Sequence, residues 1–243
     1  MEVRTLKTNK FTKEAGEKLT EIARTFENKE ILLLLAGGSS MGMLEFVRKE
    51  VLGPHVTMTM LDERFSTDPK ICNFLQLKVL PFYGRAVEAD VNIFDTSQLK
   101  GETVEELSGR WETALRDWTS ENPKGAVIST FGIGEDGHIC GIMPRPDDPP
   151  GFSEMFENDG RQVVGYDAGP QIQYPLRVTT TFSFLRKYLT AGVVYVSGEK
   201  KRAALNFLLS GDGKLYETPA RILRELPNIT LFTDIEIIMK LKG

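Results

Sequence analysis

Residues 31–40 have the sequence ILLLLAGGSS, in which a continuous apolar run leads into two glycines and two serines. An apolar run of this length predicts a strand that is buried on both faces, as in a parallel sheet. Glycines after such a strand let the backbone turn tightly, and the N–H groups of a following helix favour an anion such as phosphate. Residues 37–40 therefore predict an anion-binding loop, although a simple strand-to-helix turn explains them equally well.

Helical and extended patterns alternate along the rest of the chain. Apolar residues share one face over residues 11–26, which indicates an amphipathic helix. Further strands are predicted at 56–61, 88–93, 126–131, 161–166, 176–181, 192–197 and 229–232, and further helices at 41–51, 69–80, 103–118, 200–209 and 218–226. This alternation predicts an α/β fold with a mostly parallel sheet. The proline-rich residues 144–152 predict an irregular loop, and the whole chain, residues 1–243, is interpreted as one domain.

Composition excludes several classes of protein. The chain has 243 residues, of which 41% are hydrophobic and 26% charged, so it is not an intrinsically disordered chain. Its 30 basic and 34 acidic residues give a net charge of −4, which argues against nucleic-acid binding. The N-terminal residues contain no apolar secretory segment, and no apolar run approaches the ~20 residues that span a bilayer. We therefore expect a cytoplasmic protein without a membrane partner.

Metal and disulfide chemistry have little support in the sequence. The two cysteines, Cys72 and Cys140, cannot build a disulfide framework or a zinc site alone. The sequence contains none of the common metal-binding or serine-nucleophile motifs. We therefore expect no metal site.

Three further segments place charged or titratable residues directly after predicted strands, where α/β sheets bind their ligands. The triplet Asp62-Glu63-Arg64 could support acid–base chemistry or phosphate binding, or could be a solvated charge cluster. Residues 198–202, GEKKR, place three cations at a predicted helix start. Because the helix dipole disfavours cations at a helix start, this cluster indicates an anionic ligand. A charged first turn that only improves solubility is the alternative.

The segment 132–138, GIGEDGH, holds three glycines, two acids and one of the two histidines. Asp136 could orient the imidazole of His138, and the imidazole could accept a proton near neutral pH. A glycine-rich turn with an incidental histidine is the alternative. Because several residues capable of chemistry lie together at a strand end, a functional site is favoured.

Five segments, taken in order, resemble the 6-phosphogluconolactonases, which share a wider superfamily with glucosamine-6-phosphate deaminases and sugar-phosphate isomerases. These segments are LLLLAGGSS at 32–40, LDERFSTDPKICN at 61–73, FGIGEDGHICGIMP at 131–144, LRVTTT at 176–181 and SGEKKRAAL at 197–205. The resemblance implies a three-layer Rossmann-like fold. It also implies a monomeric or homodimeric hydrolase that opens 6-phospho-D-glucono-1,5-lactone to 6-phosphogluconate, a step of the oxidative pentose phosphate pathway, without a cofactor.

The resemblance also assigns roles to individual residues. It implies that His138 is the general base, that Asp136 orients it, and that Asp62 contacts sugar hydroxyls or supports its loop. The residues implied to bind the substrate and its phosphate are Gly37, Gly38, Ser39, Ser40, Arg64, Arg177 and Lys201.

Two other functions stay open. Deaminases of the superfamily typically have Asp-Glu-Tyr at residues 62–64 and a glutamate at the position of Met143. Methionine cannot transfer a proton, so the lactonase interpretation is favoured over an amino-sugar phosphate deaminase or isomerase. A sugar-phosphate-binding protein without catalysis is the third possibility. Departures from the usual lactonase pattern at Ser40-Met41, Cys72 and residues 139–143 lie in or near the expected site.

Overall fold

The computed structural model describes residues 1–5 and 10–237 of the chain. In chain order the elements are β1 (Glu2–Thr5), α1 (Lys10–Thr25), β2 (Ile31–Leu35), β3 (Val56–Met60), β4 (Asp62–Arg64), α2 (Asn73–Lys78), α3 (Pro81–Glu88), β5 (Asn92–Ile93), α4 (Val104–Glu121), β6 (Ala126–Gly132), α5 (Pro149–Phe156), β7 (Val163–Asp167), β8 (Leu176–Thr180), α6 (Phe182–Tyr188), β9 (Leu189–Val196), α7 (Arg202–Leu209) and β10 (Ile229–Thr233). Short 3₁₀ helices cover Gly38–Phe46, Lys49–Val51, Glu199–Lys201 and Pro219–Arg224.

The centre of the molecule is a parallel sheet of seven strands in the order β1-β10-β9-β6-β2-β3-β5. Every strand pairing in this sheet is parallel, and helices cover both of its faces. All five side chains of β2 are buried, as the apolar run at residues 31–35 predicts. The predicted α/β fold, with a three-layer Rossmann-like architecture, is therefore confirmed.

The order of the strands places a crevice beside β2. The chain passes from β2 to β3 on one side and later returns to β6 on the other side of β2. Connections that leave neighbouring strands in opposite directions open a crevice at the carboxyl ends of those strands. The two strands are tied there, because the backbone N–H of Ala36 donates to Thr130 Oγ1 at 2.9 Å.

A second, antiparallel sheet of three strands, β4-β8-β7, flanks this crevice. The sequence predicts strands at 161–166 and 176–181, and both exist as β7 and β8, but they lie outside the central sheet. The Asp62-Glu63-Arg64 triplet, expected as a loop, forms β4 and pairs with β8. Antiparallel pairing places Arg64 directly opposite Arg177. This small sheet therefore carries charged side chains toward the carboxyl ends of the central strands.

Several predicted helices differ from the structure in type or extent. Residues 41–51 form 3₁₀ turns rather than an α-helix, because two glycines and two serines in residues 38–42 are weak helix formers. The predicted helix 69–80 is shorter, and a separate helix, α3, begins at Pro81, which suits the first helical position. The predicted strand at 88–93 is reduced to Asn92–Ile93 because α3 continues to Glu88.

Other differences occur late in the chain. Residues 144–152, predicted as an irregular loop, contain the start of α5, where the Asp148 carboxylate caps the Gly151 N–H at 3.0 Å and Pro149 follows the cap. The predicted helix at 218–226 is a 3₁₀ helix at Pro219–Arg224. Helix α6 and strand β1 were not predicted, and β9 begins at Leu189, three residues before its predicted start.

A capping box is present at the start of α4. Thr103 Oγ1 accepts from the Glu106 N–H at 3.2 Å, and the Glu106 carboxylate accepts from the Thr103 N–H at 2.8 Å. The apolar face of α4 then packs into the core through Trp111, which has no exposed surface. No helix in the described ranges has the length and the apolar character needed to cross a lipid bilayer.

Candidate active site

The loops after β2, β6 and β9 and the strands β4 and β8 enclose one cleft of about 320 Å³. The residues that sequence reasoning assigned to the site and that line this cleft are Gly37, Gly38, Ser39, Asp62, Arg64, His138, Arg177 and Lys201. These residues are far apart in the chain, and the parallel sheet brings them together at its carboxyl edge. Glu135 also lines the cleft, which therefore combines one imidazole, two carboxyl groups and three cations.

His138 and Asp136 form a hydrogen-bonded pair. His138 Nδ1 lies 2.6 Å from Asp136 Oδ1, and the same oxygen accepts from the His138 backbone N–H at 3.1 Å. Asp136 does not line the cleft itself but reaches it through His138, whose side chain is one third exposed. Burial raises the pKa of Asp136, but its hydrogen bond to His138 and the imidazole charge outweigh burial, so the net shift of this pKa is downward.

The turn that carries this pair depends on a glycine and on a distant segment. A Cβ atom at Gly134 would lie 2.1 Å from His138 Nδ1, so any side chain there would displace the imidazole. The Gly134 N–H donates to the His138 carbonyl at 2.9 Å, which closes the turn. The Ala220 N–H donates to the Gly137 carbonyl at 2.9 Å and supports the turn from outside. The orientation of His138 is therefore set before any ligand arrives.

Asp62 lies at the start of β4 and is almost completely buried. Burial raises the pKa of the Asp62 carboxyl group, and the positive charges of Arg177, Arg64 and His138 oppose this shift. A buried carboxyl group beside several cations is a candidate for proton transfer or for hydrogen bonds to a ligand.

Lys201 and Ser39 both line the cleft and lie close to one another. Lys201 Nζ lies 3.4 Å from Ser39 Oγ, although the two residues belong to loops that follow different strands, β9 and β2. Burial lowers the pKa of Lys201, while the charges of Glu135 and Asp234 raise it by smaller amounts. An ammonium group that is partly withdrawn from water is suited to an anionic partner.

Ser40 differs from the other predicted anion-binding residues. Its side chain is buried outside the cleft lining, and its hydroxyl donates to the carbonyls of Ala36 and Gly37 at 3.1 and 2.8 Å. The structure therefore places Ser40 beneath the loop, where it holds the backbone conformation, and does not bring its hydroxyl to the cleft. Ser39, by contrast, is exposed and lines the cleft.

The floor of the cleft is held by two residues that sequence reasoning missed. Tyr166 on β7 donates from its hydroxyl to the Gly141 carbonyl at 2.5 Å and accepts from the Met143 N–H at 3.2 Å. Thr179 on β8 donates to the carbonyl of Cys140, a residue with a left-handed backbone at φ 55°. Neither residue has a local sequence signal, because each contact joins segments more than 20 residues apart.

Asn73 also lines the cleft, and sequence reasoning gave it no role in the site. It lies at the first position of α2, and its side-chain Nδ2 donates to the Asp62 carbonyl at 3.0 Å.

The described residues contain no cluster of three or more histidine, cysteine, aspartate or glutamate side chains arranged to hold a metal ion. The cleft holds side chains that can transfer a proton, His138 and Asp62, together with cations that can bind an anion.

Two known proteins are similar to this chain in sequence. The chain matches a 6-phosphogluconolactonase from Borreliella burgdorferi with 28% identity over 163 residues, which is 64% of this chain and 62% of that relative. It matches a glucosamine-6-phosphate deaminase from Bacillus cereus with 28% identity over 249 residues, 98% of this chain and 88% of the relative.

Similar folds occur among solved structures. A 6-phosphogluconolactonase from Shewanella baltica has a TM-score of 0.75 at 16% identity and covers 96% of this chain and 97% of its own. A 6-phosphogluconolactonase from Thermotoga maritima has a TM-score of 0.69 at 22% identity, with coverage of 96% and 98%. The family described as glucosamine-6-phosphate isomerases/6-phosphogluconolactonase matches residues 7–231, and the chain belongs to this family.

Proposed function

We propose that this protein hydrolyses 6-phospho-D-glucono-1,5-lactone to 6-phosphogluconate. The observation that carries the proposal is the Asp136–His138 pair, which opens onto the same cleft as Arg64, Arg177 and Lys201. Hydrolysis of a phosphorylated lactone needs a base for water and cations for the phosphate. The cleft supplies both, and the reaction needs no cofactor.

His138 is the general base of the proposed reaction. Its Nδ1 faces the Asp136 carboxylate, so this nitrogen carries the proton and Nε2 keeps a lone pair for a water molecule. His138 Nε2 takes a proton from water as the water oxygen bonds to the lactone carbonyl carbon. The C–O bond to the ring oxygen then breaks, and the imidazolium returns its proton to that oxygen. Such assistance contributes ~10²–10⁴-fold to a rate.

The cations of the cleft bind the phosphate and the developing negative charge. Lys201 Nζ lies beside Ser39 Oγ, and Arg64 lies opposite Arg177 in the pairing of β4 with β8. Asp62, whose carboxyl group is within electrostatic reach of both arginines and of His138, is the proposed contact for the sugar hydroxyls. A small phosphosugar lactone is therefore the proposed partner of this cleft.

The experiment is a coupled assay in which glucose-6-phosphate dehydrogenase forms the lactone and 6-phosphogluconate dehydrogenase reports the product. Spontaneous lactone hydrolysis is subtracted. His138→Ala should lower kcat at least tenfold while 6-phosphogluconate still binds. His55→Ala is the matched control, because His55 is the other histidine and does not line the cleft. Unchanged turnover in His138→Ala would exclude the proposed base.

A deaminase or isomerase acting on an amino-sugar phosphate is the second candidate. The alignment with a glucosamine-6-phosphate deaminase over 98% of the chain favours it. Asp62 would then move a proton between two carbons. Against it, residue 143, where those deaminases typically have a glutamate, is a buried methionine whose only polar contact described here is made by its backbone. Release of ammonia from glucosamine 6-phosphate, with no lactone hydrolysis above background, would establish this activity instead.

A protein that binds sugar phosphates without catalysis is the remaining outcome. In that case 6-phosphogluconate would raise the melting temperature, and neither lactone hydrolysis nor ammonia release would be measured.

A further inference from the structure

Glu63 is a buried carboxylate that lies beside the cleft without lining it. Its Oε1 accepts from the backbone N–H groups of Arg64 at 2.8 Å and Asn73 at 2.5 Å. Its Oε2 accepts from the Phe74 N–H at 2.9 Å and from Thr96 Oγ1 at 3.2 Å. Each carboxylate oxygen therefore meets two donors, and one side chain joins β4, the start of α2 and the segment after β5.

Asn73 links Glu63 to two parts of the cleft, strand β4 and the loop at Gly37. Its Nδ2 donates to the Asp62 carbonyl, which ties α2 to the strand that carries Asp62 and Arg64. On its other side, a Cβ atom at Gly37 would lie 2.2 Å from Asn73 Oδ1, so the amide occupies the space beside the anion-binding loop. The position of Asn73 therefore sets the distance between that loop and Asp62.

We propose that Glu63 is a positioning residue whose ionised carboxylate holds Asn73, and through it Asp62 and the Gly37 loop, in the arrangement that the reaction needs. This inference rests on the proposed function for its effect on rate. The structural role of Glu63 depends on the four hydrogen bonds named above and can be tested without an activity assay.

With a pKa of about 7, the Glu63 carboxyl group is partly ionised and partly protonated near neutral pH. Burial raises the pKa of Glu63 to about 7, although the N–H groups of Phe74, Asn73 and Arg64 favour the ionised form. The titratable groups that act on it within the described residues are Asp62 on β4, whose negative charge raises this pKa further, and the buried Cys72 thiol, which hydrogen-bonds to the carboxylate. A protonated Glu63 could no longer accept at every one of these contacts, so a backbone N–H would lose its partner or the Thr96 hydroxyl would have to turn from donor to acceptor.

Glu63→Gln tests the proposal, because glutamine has the same size and places an NH₂ group against two donors. Amide hydrogen exchange at Asn73 and Phe74 should become at least tenfold faster than in the wild type at pH 8. The kcat/KM for the lactone should fall at least tenfold at the same pH. The acid limb of the pH–rate profile should also lose one titration near pH 7. Exchange rates and kcat/KM within twofold of the wild type would overturn the proposal.

Thr96→Val serves as the second variant, which removes one donor to Glu63 far from the cleft lining. With fewer donors the pKa of Glu63 rises, so the titration near pH 7 should move upward by about 0.5–1 unit while the rate above pH 9 stays within twofold. An unmoved profile would contradict the role of Glu63 even if Glu63→Gln fails to fold. If the wild type hydrolyses no lactone, the proposed function fails alone, and the exchange rates at residues 73 and 74 decide the role of Glu63.

Discussion

Arg64 and Arg177 are directly opposite one another in the antiparallel pair formed by β4 and β8. Residues opposite in such a pair project from the same face, and like charges there are destabilising. Both side chains line the cleft, and neither forms a salt bridge within the described residues. Two adjacent guanidinium groups, with Asp62 as the nearby carboxyl group, form a site that an anion would stabilise.

Arg177→Met should weaken the binding of 6-phosphogluconate at least tenfold, which corresponds to about 1.4 kcal/mol. The reason is the loss of one of two charges that would share the anion. Isothermal titration calorimetry measures the effect directly. Arg161→Met is a suitable control, because Arg161 is exposed and lies outside this cleft. Equal losses in both variants would show a nonspecific electrostatic effect and contradict the assignment.

Asp136→Asn should lower kcat about 10²-fold with little change in KM. The asparagine amide can rotate to donate to Nδ1, which moves the imidazole proton to Nε2 and leaves no lone pair toward the cleft. Asp159→Asn provides the comparison, since Asp159 is an exposed acid elsewhere on the surface. Steady-state kinetics of both variants at pH 8 distinguish the two positions. A variant of Asp136 with wild-type kcat would show that His138 needs no orienting partner.

Adjacent serines offer a matched pair. Ser39→Ala should weaken phosphate binding several-fold, because Ser39 Oγ lies at the cleft beside Lys201. Ser40→Ala should leave binding closer to that of the wild type and lower the free energy of unfolding by about 1 kcal/mol, because its buried hydroxyl donates to two carbonyls. Binding is measured with 6-phosphogluconate and stability by urea denaturation. The reverse pattern would place Ser40, not Ser39, in the anion site.

The free energy of unfolding should fall as pH rises from about 4.5 to about 7. The pKa of Glu63 in the folded protein, about 7, exceeds its ordinary value of 4.5, so the folded state binds more protons than the unfolded state between these values. The free energy of unfolding therefore decreases across this window, by about 3 kcal/mol from Glu63 alone. Denaturation at a series of pH values checks the slope. Glu63→Gln should flatten it, and an equally steep slope in that variant would assign the effect to another group.

The loss of stability on ionisation of Glu63 is what we expect if the negative charge serves the site and not the stability of the fold. An ionised Glu63 at pH 8 is costly because it is buried, yet three backbone N–H groups, one hydroxyl and the Cys72 thiol donate to it. Buried groups that reduce stability occur in natural proteins where the site needs them.

The sequence by itself determined the architecture and the chemistry available to the site. The apolar run at 31–35 favours a strand buried on both faces, and such strands are typical of a parallel sheet with helices on each side. The local order of glycines, acids and histidine at 132–138 likewise predicts the Asp136–His138 pair, since two residues separated by one can meet within a single turn. Such features depend on neighbours in the chain, and a pattern records them.

Only the tertiary structure decided how these parts are combined. The pairing of Arg64 with Arg177 requires that β4 and β8 leave the central sheet, and no periodicity in either strand indicates this. Ser39 and Ser40 are chemically the same in the sequence, yet the turn points one toward the cleft and buries the other. The contacts of Glu63 and Tyr166 join distant segments, so their partners are fixed by packing and not by local sequence.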